Sequence, residues 1–182
     1  MQNIREISWK VWRRVSKKGD AVLDEILLYH GSGEVVEYPE IRKTKYTKDF
    51  SWGFYCTNKY EQAYRWADRK EKKGVVNIYS YKENPQLKVL KFDTMTDEWL
   101  DFIAKCRKGN LHRYDIVEGP MADDTVWNYV NDFLYGEISR EQFWALAKFK
   151  YPTHQISFHT LAAIDCLDFE RSEIVYDRER KG

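Results

Sequence analysis

Side chains suited to binding a flat ligand are concentrated in one short stretch of the chain. Residues 49–67, DFSWGFYCTNKYEQAYRWA, are dense in Phe, Tyr and Trp. So much aromatic surface either fills a core or binds a ring, because aromatic groups stack on one another. The rings that strand alternation and helical spacing assign to the core are Phe54, Tyr60 and Tyr64. The remaining rings, above all Tyr55 and Trp66, stay open to either use.

Two polar residues at the ends of predicted strands could hydrogen-bond a ligand. His30 ends the apolar run EILLYHGS, and Gln155 begins the apolar run of HQISFHT. The alternatives are a structural histidine at position 30 and a plain strand-edge amide at position 155.

Several kinds of catalytic site are disfavoured by the motifs that the sequence lacks. It contains no GxGxxG, GxxxxGK[ST] or GxSxG, so Rossmann, P-loop and α/β-hydrolase chemistry are not expected. Three cysteines form no CxxC pair, and four histidines form no HExxH set. We therefore expect no bound metal.

Composition favours one cytoplasmic domain that does not enter a membrane. A chain of 182 residues with net charge +1 is long enough for a core and has no bulk attraction to nucleic acid or anionic lipid. No apolar run reaches the roughly 18–20 residues of a membrane span. The isolated cysteines, odd in number, suit a reducing compartment, and the N-terminus lacks the apolar core of a signal peptide.

The chain divides into an N-terminal segment and one domain. Residues 1–20 read as a basic amphipathic helix, with apolar residues at helical spacing and, over residues 5–18, six Lys or Arg against the single acid Glu6. This helix either docks on the domain with a solvated basic face or binds a partner or nucleic acid. Residues 21–182 form the predicted domain.

Strands and helices are mixed in this domain without regular βαβ alternation. The predicted strands lie at 25–32, 53–57, 75–82, 87–93, 114–120, 154–160 and near 172–177. The predicted helices lie at 58–70, capped by Asn58, at 96–109, capped by Thr96, at 123–135, at 139–149, where Ser139 and Gln142 match a capping box, and at 161–167. The pattern predicts an α+β fold on a split, mostly antiparallel β-sheet.

Four motifs together resemble the ADP-ribosyltransferase superfamily, on the His-Tyr-Glu branch shared by diphtheria-toxin-like enzymes and poly-ADP-ribose polymerases. The likeness is greatest to short, poorly characterised prokaryotic members and covers roughly residues 25–170. The motifs are YHGS (29–32), DFSWGFYCT (49–57) followed by QA and WA, YDIVEGPMA (114–122) and QISFHT (155–160). The resemblance implies an ADP-ribosyltransferase-like fold and NAD as substrate, with no metal.

The resemblance also implies roles for particular residues. His30 would bond a ribose hydroxyl of the adenosine half, the Gly31 backbone would bind the nicotinamide amide, and Ser32 would add a nearby hydrogen bond. Tyr55 would stack on the nicotinamide, with Trp66 at a place that is commonly Tyr. A cationic ring between two aromatic rings gains about 0.5–2 kcal/mol per contact.

The third catalytic position departs from the family pattern, because Gln155 stands where Glu is usual. Cleavage of the glycosidic bond passes through an oxocarbenium-like state, which a carboxylate stabilises. Gln keeps the hydrogen bond to the 2′-hydroxyl but not the charge, a loss of about 1 kcal/mol or more. The expectation is a mono-ADP-ribosyltransferase, commonly a bacterial toxin or modifier paired with an antitoxin, that acts on a protein or nucleic-acid acceptor. An NAD glycohydrolase and a weakly catalytic module that binds NAD, ADP-ribose or a partner are the alternatives.

Other charged residues are weaker candidates. Asp49 is expected to serve as a turn residue that could also aim at the ligand. The loop lysines that could contact the pyrophosphate rather than solvent are Lys43, Lys45 and Lys48. The carboxylates that could form an acidic site are Asp115, Asp123 and Asp124, with helix capping as the favoured alternative for the last two.

Overall fold

The computed structural model describes residues 26–43, 48–69, 73–122, 124–147 and 153–175, and within these the α+β prediction is confirmed. The predicted basic helix at 1–20 lies outside the described residues. The strands are β1 (Ile26–Ser32), β2 (Phe54–Cys56), β3 (Gly74–Tyr81), β4 (Val89–Lys91), β5 (Ile116–Gly119), β6 (Gln155–Phe158) and β7 (Leu167–Val175). The helices are α1 (Tyr60–Asp68), α2 (Asp97–Arg107), α3 (Asp124–Tyr135), α4 (Arg140–Leu146) and α5 (Leu161–Ile164).

The strands form two sheets, as the split-sheet prediction requires. The first sheet has the order β1-β3-β7 and is wholly antiparallel. The second has the order β2-β6-β5-β4, in which only β4 and β5 run parallel. A single bridge between Tyr29 and Thr57 joins β1 to the end of β2, with both backbone hydrogen bonds made. Beyond this bridge the two sheets separate.

Three apolar clusters place the sheets and helices in layers. One cluster fills the space between the sheets and includes Leu28, Phe54 and Tyr79. A second packs the outer face of the β2-containing sheet on helices α2, α3 and α4. A third packs α1 on the outer face of the other sheet, through small residues such as Ala63 and Ala67.

Alternation along β2 divides its side chains as predicted. Phe54 lies in the cluster between the sheets, and Tyr55 faces the helices on the other side. Tyr60 and Tyr64 pack on the α1 cluster with ring centroids 6.3 Å apart, which confirms their predicted structural role.

Two of the three predicted N-cap residues are confirmed, and one is wrong. Thr96 accepts a hydrogen bond from Trp99 N at the start of α2, and Ser139 with Gln142 forms a complete capping box on α4. The Asn58 cap is wrong, because α1 is preceded by Lys59 and has no side-chain cap.

The last strand also differs from its prediction. β7 begins at Leu167 rather than near residue 172, and it follows β3 along its whole length with a bulge at Ile78/Tyr79. A bulge and charged residues such as Asp168 and Glu170 interrupt the alternation of apolar and polar residues along this strand, so its start cannot be recognised in the sequence.

Candidate functional site

A cavity of about 380 Å³ opens beside the point where the two sheets separate. This volume lies in the range of roughly 300–1,000 Å³ that is usual for small-molecule sites. Five of the six predicted site residues line it. The full lining is His30, Gly31, Lys48, Asp49, Tyr55, Trp66, Arg69, Met121, Ala122, Trp127 and Gln155.

His30 is held in one tautomer at the end of β1. Its Nδ1 lies 2.7 Å from the carbonyl oxygen of Tyr55, which can only accept, so Nδ1 carries the hydrogen. Its ring also packs on Phe54 at 4.6 Å between centroids. In the neutral ring, Nε2 therefore carries the lone pair and is the atom that can accept from a ligand hydroxyl.

Gly31 is required by the close approach of α1 to β1. A Cβ at this position would lie 2.1 Å from the carbonyl oxygen of Ala63 and 2.9 Å from the backbone nitrogen of Ala67. The same contact brings Trp66 and Arg69 to the cavity. We call the side formed by His30, Gly31, Trp66 and Arg69 the β1–α1 wall.

Trp66 and Tyr55 both line the cavity, from α1 and β2 respectively. The Trp66 side chain is half-buried, as is usual for a ring that presents one side to a cleft. Two aromatic residues that lie eleven positions apart in the sequence thus line the same cavity.

Tyr55 is fixed through its hydroxyl as well as its ring. The hydroxyl donates to the carbonyl oxygen of Ser51 at 2.6 Å and accepts from the Phe50 backbone at 3.1 Å. Burial, reinforced by the negative charge of Asp49, raises the pKa of Tyr55 well above its usual value, so the phenol stays protonated. The ammonium of Lys48 lies 4.4 Å from the ring centroid, which is a cation–π geometry.

Gln155 at the start of β6 is 3% exposed, and its amide nitrogen has two acceptors. Nε2 donates to Asp49 Oδ2 at 3.1 Å and to the Pro120 carbonyl oxygen at 3.2 Å. Both partners are obligate acceptors, so the nitrogen and oxygen of the amide are assigned by chemistry.

A buried ion pair stands behind Gln155. Asp49 Oδ1 lies 2.5 Å from Arg107 Nη2, and each side chain is only 4% exposed. Asp49 Oδ2 also accepts from the Ala122 backbone at 2.9 Å. Asp49 and Gln155 line the cavity and Arg107 lies behind them, and we call these three residues the ion-pair wall.

Arg107 extends this wall to α3. It donates to the Trp127 carbonyl oxygen and to Asn131, and its guanidinium lies 3.6 Å from the Trp127 ring centroid. Sequence reasoning missed Arg107, Trp127 and Arg69, and it placed Asp49 in a turn without identifying its partner. The only signals in the sequence were the aspartate before an aromatic run and a basic residue in the last turn of a helix.

Several other candidates lie away from the cavity. Ser32 is not among the lining residues; its hydroxyl donates to the Glu34 carbonyl oxygen and accepts from Asn77, which fixes the turn after β1. Lys43 lies 5.7 Å from the Trp52 ring centroid. Asp115 accepts from the Lys88 backbone and from Thr160, which lower the pKa of its carboxyl and tie β5 to its neighbours. The remaining three, Lys45, Asp123 and the side chain of Asp124, lie outside what the structure describes.

Within the described ranges, no three or more His, Cys, Asp or Glu side chains form a group that could hold a metal ion. Across the same part of the chain, no helix is both long and apolar enough to cross a membrane.

Comparisons with known proteins identify the family but assign no activity. Neither the curated proteins nor the solved structures contain a significant match to this chain. A family model described as protein of unknown function (DUF3990) matches residues 26–169, a span that includes every residue of both walls. The chain therefore belongs to the DUF3990 family.

Proposed function

We propose that this protein is an NAD-dependent mono-ADP-ribosyltransferase, which cleaves the nicotinamide–ribose bond and transfers ADP-ribose to a protein or nucleic-acid acceptor. One observation carries the proposal. Residues from separate motifs, chosen on sequence alone, line a single cavity of suitable volume: His30, Gly31, Tyr55, Trp66 and Gln155.

The polar atoms of the cavity suit the ribose groups of NAD. His30 Nε2 accepts from a ribose hydroxyl, since its Nδ1–H is committed to the Tyr55 carbonyl oxygen. Gln155 supplies an amide oxygen as a second acceptor, since its nitrogen is committed to Asp49 and Pro120.

The charges of the cavity suit both the cationic nicotinamide and the anionic pyrophosphate of NAD. Lys48 over the Tyr55 ring indicates that this ring face attracts a cation, and the nicotinamide ring of NAD is cationic. A nicotinamide bound there takes the place of the ammonium, whose flexible stem can turn toward the pyrophosphate. Arg69 lines the same cavity and offers a second positive charge to the pyrophosphate.

The reaction is a substitution at C1′ of the nicotinamide ribose. The bond from C1′ to the nicotinamide nitrogen breaks, and the nitrogen keeps the electron pair and becomes neutral. A nucleophilic atom of the acceptor forms the new bond to C1′ and loses its proton to solvent or a base. Fixed acceptors near the ribose favour the positively charged transition state.

A second candidate, an NAD- or ADP-ribose-binding module with weak turnover, is favoured by the charge balance at Gln155. The amide is neutral, and the carboxylate behind it is neutralised by Arg107. With water as acceptor the same site would be an NAD glycohydrolase, which product analysis distinguishes from a transferase.

Incubation of the full chain with labelled NAD tests the proposal. We expect release of nicotinamide, and we expect His30→Ala and Trp66→Ala each to reduce kcat/KM by about 10²-fold, the effect of losing an orienting contact. Tyr38→Ala, at a tyrosine that is 85% exposed, is the control and should match the unmodified protein.

Release that is equal in all four proteins would overturn the site. Binding of NAD without release of nicotinamide would favour the binding module over the enzyme.

The cellular setting is also part of the proposal. The described cysteines are all buried free thiols, which fits a reducing cytoplasm. In that setting the resemblance favours a toxin-type modifier held in check by an antitoxin protein, and co-purification with the product of a neighbouring gene would test this pairing.

A further inference from the structure

We propose that Asp49 is a positioning residue for Gln155: it holds the amide so that Oε1, and not Nε2, faces the ligand. The inference rests on the proposed function for the identity of the ligand, but the orientation itself stands on contacts of the protein alone. Asp49 touches no reacting atom in this account and acts through the amide.

The contacts of Gln155 leave only one orientation. Nε2 lies between a carboxylate oxygen of Asp49 and the Pro120 carbonyl oxygen, at 3.1 and 3.2 Å. A flip of the amide would place Oε1 against these two acceptors and lose both hydrogen bonds, so the amide stays as it is.

The amide oxygen is therefore exposed to the cavity. Among the described residues, every buried side-chain nitrogen or oxygen has a hydrogen-bond partner. Oε1 of Gln155 has none within this part of the protein, so it is not sealed in the core, and the cavity is the open space that Gln155 lines. A ligand group at this point must donate a hydrogen, as a ribose hydroxyl does.

Arg107 fixes the orientation of the Asp49 carboxylate. Its Nε and Nη2 both donate to Oδ1, while Oδ2 accepts from Gln155 Nε2 and the Ala122 backbone. The carboxylate thus makes four contacts with donors from α2, β6 and the segment after β5. Its side chain cannot turn toward the ligand without losing them.

This arrangement changes what a carboxylate at position 155 would do. Gln155→Glu alone would place a second carboxylate against Asp49 Oδ2, and one of the two would take up a proton or repel the other. Restoring the usual Glu therefore gives no gain by itself. Asp49→Asn combined with Gln155→Glu reverses the hydrogen bond between the two side chains, so that the amide introduced at position 49 donates and the negative charge moves to the cavity, with loss of the hydrogen bond from the Ala122 backbone.

The orientation is tested first without any ligand. In ¹⁵N-labelled full-length protein, we expect the Gln155 side-chain amide protons to exchange about tenfold or more slowly than those of Gln86, which is exposed. Asp49→Asn should remove this protection, whereas Asp168→Asn, at an exposed ion pair with Lys82, should leave it intact. Fast exchange in the unmodified protein, or protection that survives Asp49→Asn, would overturn the proposal.

The consequence is then tested with NAD. We expect Asp49→Asn and Gln155→Glu each to lower kcat/KM for nicotinamide release by about tenfold or more, and the double variant to recover most of that loss or exceed the unmodified protein. Thermal unfolding of each variant gives the folded fraction. A purely structural role for Asp49 predicts losses that follow the folded fraction and add in the double variant, and that result would contradict the proposal.

The two proposals fail in different ways. If the Gln155 amide is protected through Asp49 but the unmodified protein neither binds nor cleaves NAD, the orientation is supported and the proposed function is overturned. If NAD is cleaved but the amide is unprotected, the proposed function is supported and the role of Asp49 is overturned.

Discussion

The two walls of the cavity are built by different physical means. The β1–α1 wall depends on backbone approach, because α1 can lie against β1 only where position 31 has no side chain. The ion-pair wall depends on charge, because a buried carboxylate and guanidinium join α2 to the turn before β2. A wall set by backbone contact leaves a local motif in the sequence, whereas a wall set by a distant side-chain pair does not.

Breaking the ion pair should have the largest effect on stability. Arg107→Ala leaves Asp49 buried without its charged partner, so we expect the free energy of unfolding to fall by about 3–5 kcal/mol. Urea denaturation measures the loss. The matched control is Arg171→Ala, which breaks an exposed pair with Glu173 and should cost less than about 1 kcal/mol. Equal losses in the two variants would mean that the ion-pair wall is not held by charge.

Filling the glycine position should have the next largest effect. Gly31→Ala forces α1 away from β1, and we expect a loss of about 3 kcal/mol, together with weaker NAD binding because Trp66 moves with the helix. Gly109→Ala is the control: its Cβ meets nothing within 4 Å, and its φ of +87° should cost only about 1–2 kcal/mol. Unchanged stability and NAD affinity in Gly31→Ala would contradict the account of the β1–α1 wall.

Acid should lower the free energy of unfolding by less than either substitution, because it protonates the histidine that packs on Tyr55. His159 packs edge-on to the Tyr55 ring. Burial, with a smaller contribution from the charge of His112, lowers the pKa of His159 to about 4. The hydrogen bond of Nδ1 to the Trp52 carbonyl oxygen and the charge of Asp115 raise this pKa but do not offset the burial. The unfolded state, with a pKa near 6.5, binds the proton first as pH falls, so stability is full above about pH 6.5 and declines toward pH 4. We expect a loss of about 2 kcal/mol between about pH 7 and pH 5, measured by urea denaturation.

His159→Gln is the control for this pH effect, since glutamine does not titrate in this range. The variant should show a flatter pH dependence between about pH 7 and pH 5. A dependence as steep as that of the unmodified protein would assign the effect to other groups.

Local signals in the sequence predicted most of the fold. Thr96 and Ser139 cap their helices as expected because a cap is decided within three residues. Phe54 and Tyr55 were separated correctly because strand alternation is also local. The Asn58 cap failed by one residue, and the start of β7 was hidden by its bulge and its charged residues.

The site could be predicted only in part, for a related reason. His30, Tyr55 and Gln155 lie near strand ends within short motifs, so local features of the sequence were enough to select them. Asp49 and Arg107 lie far apart in the chain, and neither residue has a local feature that identifies the other. Only the packing of α2 on the second sheet brings them together, and tertiary packing of this kind is not encoded in a short motif.

A crystal structure of the full chain with NAD would show whether the cavity binds NAD in the proposed orientation. The account predicts the nicotinamide on the ring of Tyr55 beside Trp66, with ribose hydroxyls about 2.7–3.2 Å from His30 Nε2 and from Gln155 Oε1. It also predicts that Gln155 Nε2 remains on Asp49. NAD bound outside this cavity, or bound in it with the Gln155 amide turned away from Asp49, would contradict the account.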